Sequence, residues 1–158
     1  MILGTYPSRT RSTRMRTFSV NSSAPPETAW KLLARPAHWS EWTPHVRGAW
    51  GLGAPEVREG ALGAARLFGA LPVPARIVAK RPGRSWTWRV GPVEMVHRVD
   101  PRPERSGGEA SGRDGGCEVA IDVIAPAPLE RVFAAAYGPV ITVTLRRLAD
   151  AAQSSSGQ

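Results

Sequence analysis

"SAPPETAWKLLARPAHWSEWTPHV", residues 23–46, reads as two short helices in succession. Pro25 and Pro26 suit a helix start, where a missing amide proton costs nothing and φ is already helical. Glu27 complements the helix dipole at that end. Ala29, Trp30, Leu33 and Ala34 then recur at three- and four-residue spacings, which makes one apolar face. Pro36 ends this helix near Arg35, because the residue before a proline is pushed out of helical torsions. In "HWSEWTPHV" (38–46), Trp39 and Trp42 lie on one side of a second short turn that Pro44 must stop or kink.

Outward from these helices the period changes. On the amino-terminal side, "TFSVNSS" (17–23) alternates Phe18 and Val20 with polar neighbours, the mark of a strand with one buried face. On the other side come "VRGAWGL" (46–52), "REGALGAARLF" (58–68), "VPARIVAKRPG" (73–83), "RSWTWRVGP" (84–92), "VEMVHRVDP" (93–101) and "GCEVAIDVIAP" (116–126), each bounded by Gly or Pro. Breaks this short leave no room for crossover helices, so the strands pair antiparallel in a curved sheet. The polar, Gly-rich "PRPERSGGEASGRDGG" (101–116) reads as a long mobile hairpin loop.

"PLERVFAAAYGPVITVTLRRLADAA" (128–152) returns to helical spacing, with Leu129, Val132, Phe133, Ala136, Val140, Leu145, Leu148 and Ala152 as its stripe. Gly138 and Pro139 predict a kink, and "SSSGQ" (154–158) predicts a frayed end.

At 158 residues the chain is the size of one domain. Its boundaries are expected at 17–152, with residues 1–16 a disordered extension or upstream-start artefact and residues 153–158 a disordered tail. No apolar run approaches the ~20 residues of a membrane-spanning helix. The only cysteine is Cys117, which points to a reducing, cytoplasmic setting. Of the net charge of +8, Arg9, Arg11, Arg14 and Arg16 supply half, and the remaining charges are interleaved with acids rather than gathered into a stripe. Nucleic acid is therefore not an expected partner.

The order of strand, two short helices, six antiparallel strands and a long amphipathic helix resembles the helix-grip, START-like superfamily, often called SRPBCC, and within it the polyketide cyclase/dehydrase-like branch. The residues carrying the resemblance are "SAPPETAWKLLARPAHWSEWTPHV", "KRPGRSWTWRV" (80–90), "VHRVDP" (96–101) and "GCEVAIDV" (116–123). The resemblance implies an α+β helix-grip fold, with a curved seven-stranded antiparallel sheet around the C-terminal helix and two short helices between strands 1 and 2. It also implies an apolar cavity between sheet and helix. A scaffold of this kind hosts many functions, so it specifies the fold better than a reaction.

The residues supply that cavity's lining. Strand alternation turns Trp86 and Trp88 inward, then Met95 and His97, then Cys117 and Ile121. His97 is the most informative of these, because a lone imidazole on an apolar face either sits satisfied in a core or meets a ligand. Tyr137, just before the Gly138-Pro139 break, and Phe133 one turn earlier face the same space. Trp39 and Trp42 form a wall whose indole N–H groups could meet ligand or water. Arg66 would suit an acidic or enolic ligand if it turned inward, although solvation is its ordinary place. Cys117 has no evident base, which argues against a nucleophile. His38, Glu41 and His45 imitate a metal triad, but Pro44 displaces His45 from the helical face, so no metal is expected. The glycines of "GLGAPEVREGALG" (51–63) precede no helix, so they form no phosphate cradle, and no cofactor is expected.

The functional expectation is a domain that binds a small hydrophobic molecule, cyclic, aromatic, lipid- or polyketide-like. Its predicted lining is Trp39, Trp42, Trp86, Trp88, Met95, His97, Ile121, Phe133 and Tyr137. One alternative is a cyclase or aromatase in which His97 or Tyr137 moves protons. The other is an interaction module whose cavity is filled by its own side chains. The oligomeric state stays open, a homodimer being one option.

Overall fold

Each change of period becomes an element boundary in the computed structural model, which describes residues 12–68, 70–102 and 116–157. The strands are β1 (Thr13–Ser22), β2 (Val46–Trp50), β3 (Leu62–Leu67), β4 (Leu71–Arg81), β5 (Ser85–Val90), β6 (Val93–Pro101) and β7 (Cys117–Pro126). The helices are α1 (Pro26–Ala34), α2 (Trp39–Trp42), preceded by a tight turn at Pro36–His38, and α3 (Leu129–Ser156). All seven strands form one antiparallel sheet in the order β1-β7-β6-β5-β4-β3-β2. β2 to β7 are a meander, and β1 closes the row beside β7. The curved sheet faces α3, and α1 and α2 pack against both, which is the α+β helix-grip arrangement.

Alternation builds the core. β6 buries Val93, Met95, His97 and Val99, and β7 buries Cys117, Val119, Ile121 and Val123. Leu145 and Leu148 of α3 and Leu33 of α1 complete it. Burial of each large apolar side chain contributes about 1.5–3 kcal/mol. Gly138 lets α3 lie close on β1, since a Cβ there would stand 3.0 Å from Cε1 of Phe18. On the other face of the sheet, Asp122 accepts hydrogen bonds from Thr17 Oγ1 at 2.7 Å and Arg98 Nε at 3.0 Å, tying β1, β7 and β6 together.

The structure departs from the sequence reading at the ends. β1 begins at Thr13, so residues 13–16, expected in a disordered extension, are a strand paired with Pro126 to Val123. α3 continues to Ser156, past the expected end at residue 152. The hydroxyls of Ser154, Ser155 and Ser156 donate to the carbonyls of Asp150, Ala151 and Ala152, each at 2.9 Å. The first half of α3 also departs in part from the expected stripe: Leu129, Val132 and Ala136 are exposed, whereas Phe133 and Tyr137 pack against the core as expected and Ile141, outside the stripe, is buried. α3 runs through Gly138 and Pro139 as one helix. Residues 1–11, which carry most of the expected extension, and 103–115, most of the expected mobile loop, lie outside the described residues. Among the described residues, no helix is long and apolar enough to cross a membrane.

Candidate functional site

The site starts from how α1 ends. The last carbonyls of a helix have no partners within it. Here Trp42 Nε1 donates to Leu32 O at 3.1 Å, Trp39 Nε1 to Leu33 O at 3.0 Å, Val57 N to Ala34 O at 2.9 Å and His38 N to Arg35 O at 3.0 Å. The two indoles of α2 thus cap α1, while the ring face of Trp39 meets Trp86 of β5. Their N–H groups are consumed, which corrects the expectation that they could meet a ligand.

Trp39 is the top of a three-layer stack. Its ring lies 5.5 Å from Trp86 at 11°, and Trp86 lies 3.9 Å from His97 at 4°. Trp88 stands edge-on to all three at 5.8–6.0 Å. Register produces this geometry: Trp86 pairs directly with His97 and Trp88 with Met95, so alternation puts all four on the inner face. Offset-stacked and edge-to-face pairs are the favoured aromatic contacts, worth about 0.5–1.5 kcal/mol each beyond area burial.

Two compartments lie beside the stack, between sheet and α3. An inner compartment of about 40 Å³ is lined by Trp39, Trp42, Trp86, Trp88, Met95, His97, Ile121 and Tyr137, with His45, Ile141 and Thr144. An outer compartment of about 180 Å³ is walled by Leu67, Val73, Val90, Val93 and Phe133. Trp88, Met95 and Tyr137 border both. Eight of the nine sequence-predicted lining residues therefore meet at the inner compartment, and Phe133 lies at the outer one.

The inner compartment gathers unsatisfied polar groups. Among the described residues, seven buried side-chain N or O atoms have no hydrogen-bond partner, and five belong to its lining: His45 Nδ1, Trp86 Nε1, Trp88 Nε1, His97 Nδ1 and Thr144 Oγ1. Folded proteins rarely leave such groups orphaned, and here most of those among the described residues cluster around one compartment. Burial pushes the His97 imidazole down to about 3, with the Met95 backbone and Asp122 pulling weakly the other way. Burial also lowers His45 and pushes the Tyr137 phenol up to about 12. All three are uncharged at neutral pH.

The remaining candidates lie elsewhere. His38 Nδ1 and Glu41 Oε1 pair at the surface at 2.7 Å, while His45 is buried against Tyr137 with ring centroids 5.4 Å apart. The three do not converge. Among the described residues, no group of three His, Cys, Asp or Glu side chains is placed to hold a metal. Arg66 is exposed over the Trp50 ring at 5.9 Å, because Ala65 and Leu67 take the inner face of β3. Cys117 is buried, and burial pushes its thiol up to about 11. Sequence reasoning missed Thr144 and Ile141 in the lining, having set the α3 stripe on other positions. Their signal was present: Tyr137, Ile141, Thr144, Leu145 and Leu148 are spaced by three and four.

With this geometry in hand, the chain can be compared with known proteins. The family described as polyketide cyclase / dehydrase and lipid transport matches residues 15–153. A search of curated proteins gives no match. Among solved structures, a Thermobifida fusca protein is 20% identical, with 87% of this chain and 92% of that one covered and a TM-score of 0.67. Protein NE0264 of Nitrosomonas europaea is 11% identical over 91% and 97%, with a TM-score of 0.66. The ginseng major latex-like protein 151 of Panax ginseng is 16% identical over 87% and 96%, with a TM-score of 0.60. At such identities the likeness shows the fold alone. The family match, however, spans every element from β1 to α3, and the chain belongs to the polyketide cyclase / dehydrase and lipid transport family.

Proposed function

We propose that the domain binds a small, mostly apolar molecule of one or two rings between the sheet and α3. The observation that carries this reading is an outer compartment of about 180 Å³ with an almost entirely apolar lining, which shares Trp88, Met95 and Tyr137 with the smaller inner one. An engineered apolar cavity of about 150 Å³ binds benzene, so the outer volume suits one or two rings rather than a long acyl or polyketide chain. Trp88, Met95, Phe133 and Tyr137 would contact the body of the ligand and His97 and Trp86 its polar end. Trp39, Trp42 and Ile121 form the wall behind.

The protonation states favour binding over cyclase chemistry. An efficient general base or acid has its pKa near the working pH. His97 at about 3 is too weak a base for that role, and Tyr137 at about 12 too weak an acid. The aromatic stack narrows the inner compartment, but the outer volume argues against an interaction module with a collapsed interior. The lone buried Cys117 supports a reducing, cytoplasmic compartment.

Titration with naphthalene, followed by tryptophan fluorescence, tests the reading. Saturable quenching should appear in the wild type and vanish in Val73→Trp, which fills the outer compartment from a half-buried strand position. Equal quenching in both would remove the compartment from the account.

A further inference from the structure

We infer that a surface cleft between the Pro36–His38 turn and the segment joining β2 to β3 is a further binding site, for a small carboxylate with an apolar body. The cleft has a volume of about 410 Å³ and shares no lining residue with the two compartments between sheet and α3. Its banks are pinned. Val57 N donates to Ala34 O at 2.9 Å and Arg58 N to Leu52 O at 2.8 Å, with Leu52 and Val57 buried, so the segment after β2 is fixed against the end of α1. On the other bank, His38 N donates to Arg35 O at 3.0 Å.

Arg35 carries the chemistry. It ends α1 in an extended conformation, as a residue before proline does, and its half-buried side chain lines the cleft. Among the described residues its guanidinium makes no ion pair or hydrogen bond. Glu56 feels the Arg35 charge but is held by Lys80 Nζ at 2.8 Å and Trp30 Nε1 at 3.2 Å. A half-buried cation without a counter-charge costs stability, so folding alone gives no reason for it. Nε is enclosed, which leaves the two terminal nitrogens as the reachable end, and a carboxylate can accept from both at once. Ser40, exposed on the same bank, adds a hydroxyl donor. No Asp or Glu lines the cleft, and Glu41 beyond it is paired with His38 Nδ1 at 2.7 Å. The remaining walls, Pro36, Ala37, Ala49, Ala54 and Pro55, bring no further charge for a dianion such as phosphate and would cover an apolar body.

Benzoate and its uncharged analogue benzamide, titrated at neutral pH and followed by the amide resonances of Ser40 and Ala54 on the two banks, test the site. Benzoate should shift both resonances saturably, and benzamide should bind at least about tenfold more weakly. Arg35→Gln and, independently, Ala37→Trp, which fills the cleft from an exposed position, should each abolish the benzoate shifts. Arg66→Gln, which removes an exposed arginine outside the cleft, should leave them unchanged. Val73→Trp should leave them unchanged as well, so this site and the compartment under α3 stand or fall separately. Amide spectra unaltered away from the cleft report that each variant folds. No saturable shift in the wild type, shifts that persist in Arg35→Gln or Ala37→Trp, shifts lost in Arg66→Gln, or benzamide binding as tightly as benzoate would each overturn the inference.

Discussion

Trp86 and His97 face each other across β5 and β6 with their rings 3.9 Å apart and parallel within 4°. The imidazole is thereby clamped between an indole face and the apolar interior, with Nδ1 unpartnered among the described residues. A proton on that ring would be a charge in the core. The protein therefore holds His97 neutral, and this single relationship makes the stability of the fold depend on pH.

Acid should destabilise the domain through this residue. Burial lowers His97 from 6.5 to about 3, so between those values the unfolded chain takes up a proton that the folded chain refuses. Stability is then full above about pH 6.5 and falls as pH drops through the window, by about 5 kcal/mol over its whole span. His45, also lowered by burial, acts in the same direction. Melting temperatures followed by circular dichroism should fall less steeply on acidification in His97→Phe than in the wild type. Parallel profiles would show that His97 is not the cause.

Capping of α1 by indoles should carry measurable stability. Trp42→Phe removes the donor to Leu32 O and part of a buried ring, and should cost about 2 kcal/mol in urea denaturation. Trp50→Phe, at a residue 49% exposed, should change stability by less than about 0.5 kcal/mol.

The approach of α3 to β1 at Gly138 should be steric in origin. Gly138→Leu gains helix propensity yet drives side-chain atoms into Phe18, with a net loss of about 1–3 kcal/mol. Adding Phe18→Ala should recover part of it, giving a favourable coupling in a double-mutant cycle. Additive losses would mean the contact does not limit packing.

Asp122→Asn keeps the shape but removes the charge that receives Arg98 and weakens the acceptor for Thr17. With Asp122 8% exposed, a loss of about 1–2 kcal/mol is expected in the same denaturation assay.

Most of this molecule was legible in its sequence, for identifiable reasons. Strand alternation fixed the inner positions of Trp86, Trp88, Met95, His97 and Ile121, because a period of two leaves only two phases. Pro26, Pro36 and the Trp39–Trp42 spacing located α1 and α2. Three things were not legible. Residues 13–16 pair with β7 through backbone bonds alone, and their exposed Arg and Thr side chains carry no buried face to betray a strand. The phase of β3 was open because Leu62, Ala64, Ala65, Leu67 and Phe68 satisfy either face. The narrowness of the inner compartment follows from aromatic rings stacking across α2, β5 and β6, a long-range outcome that no local period encodes. His45 was judged by its distance from His38 and Glu41, whereas the backbone after Pro44 turns it into the interior.

Native mass spectrometry, set against the denatured mass, tests most directly whether the space between sheet and α3 is a binding site. The wild type, gently purified and then incubated with naphthalene, should carry one naphthalene per chain that Val73→Trp does not. A bare wild-type chain, or equal occupancy in Val73→Trp, would contradict the account.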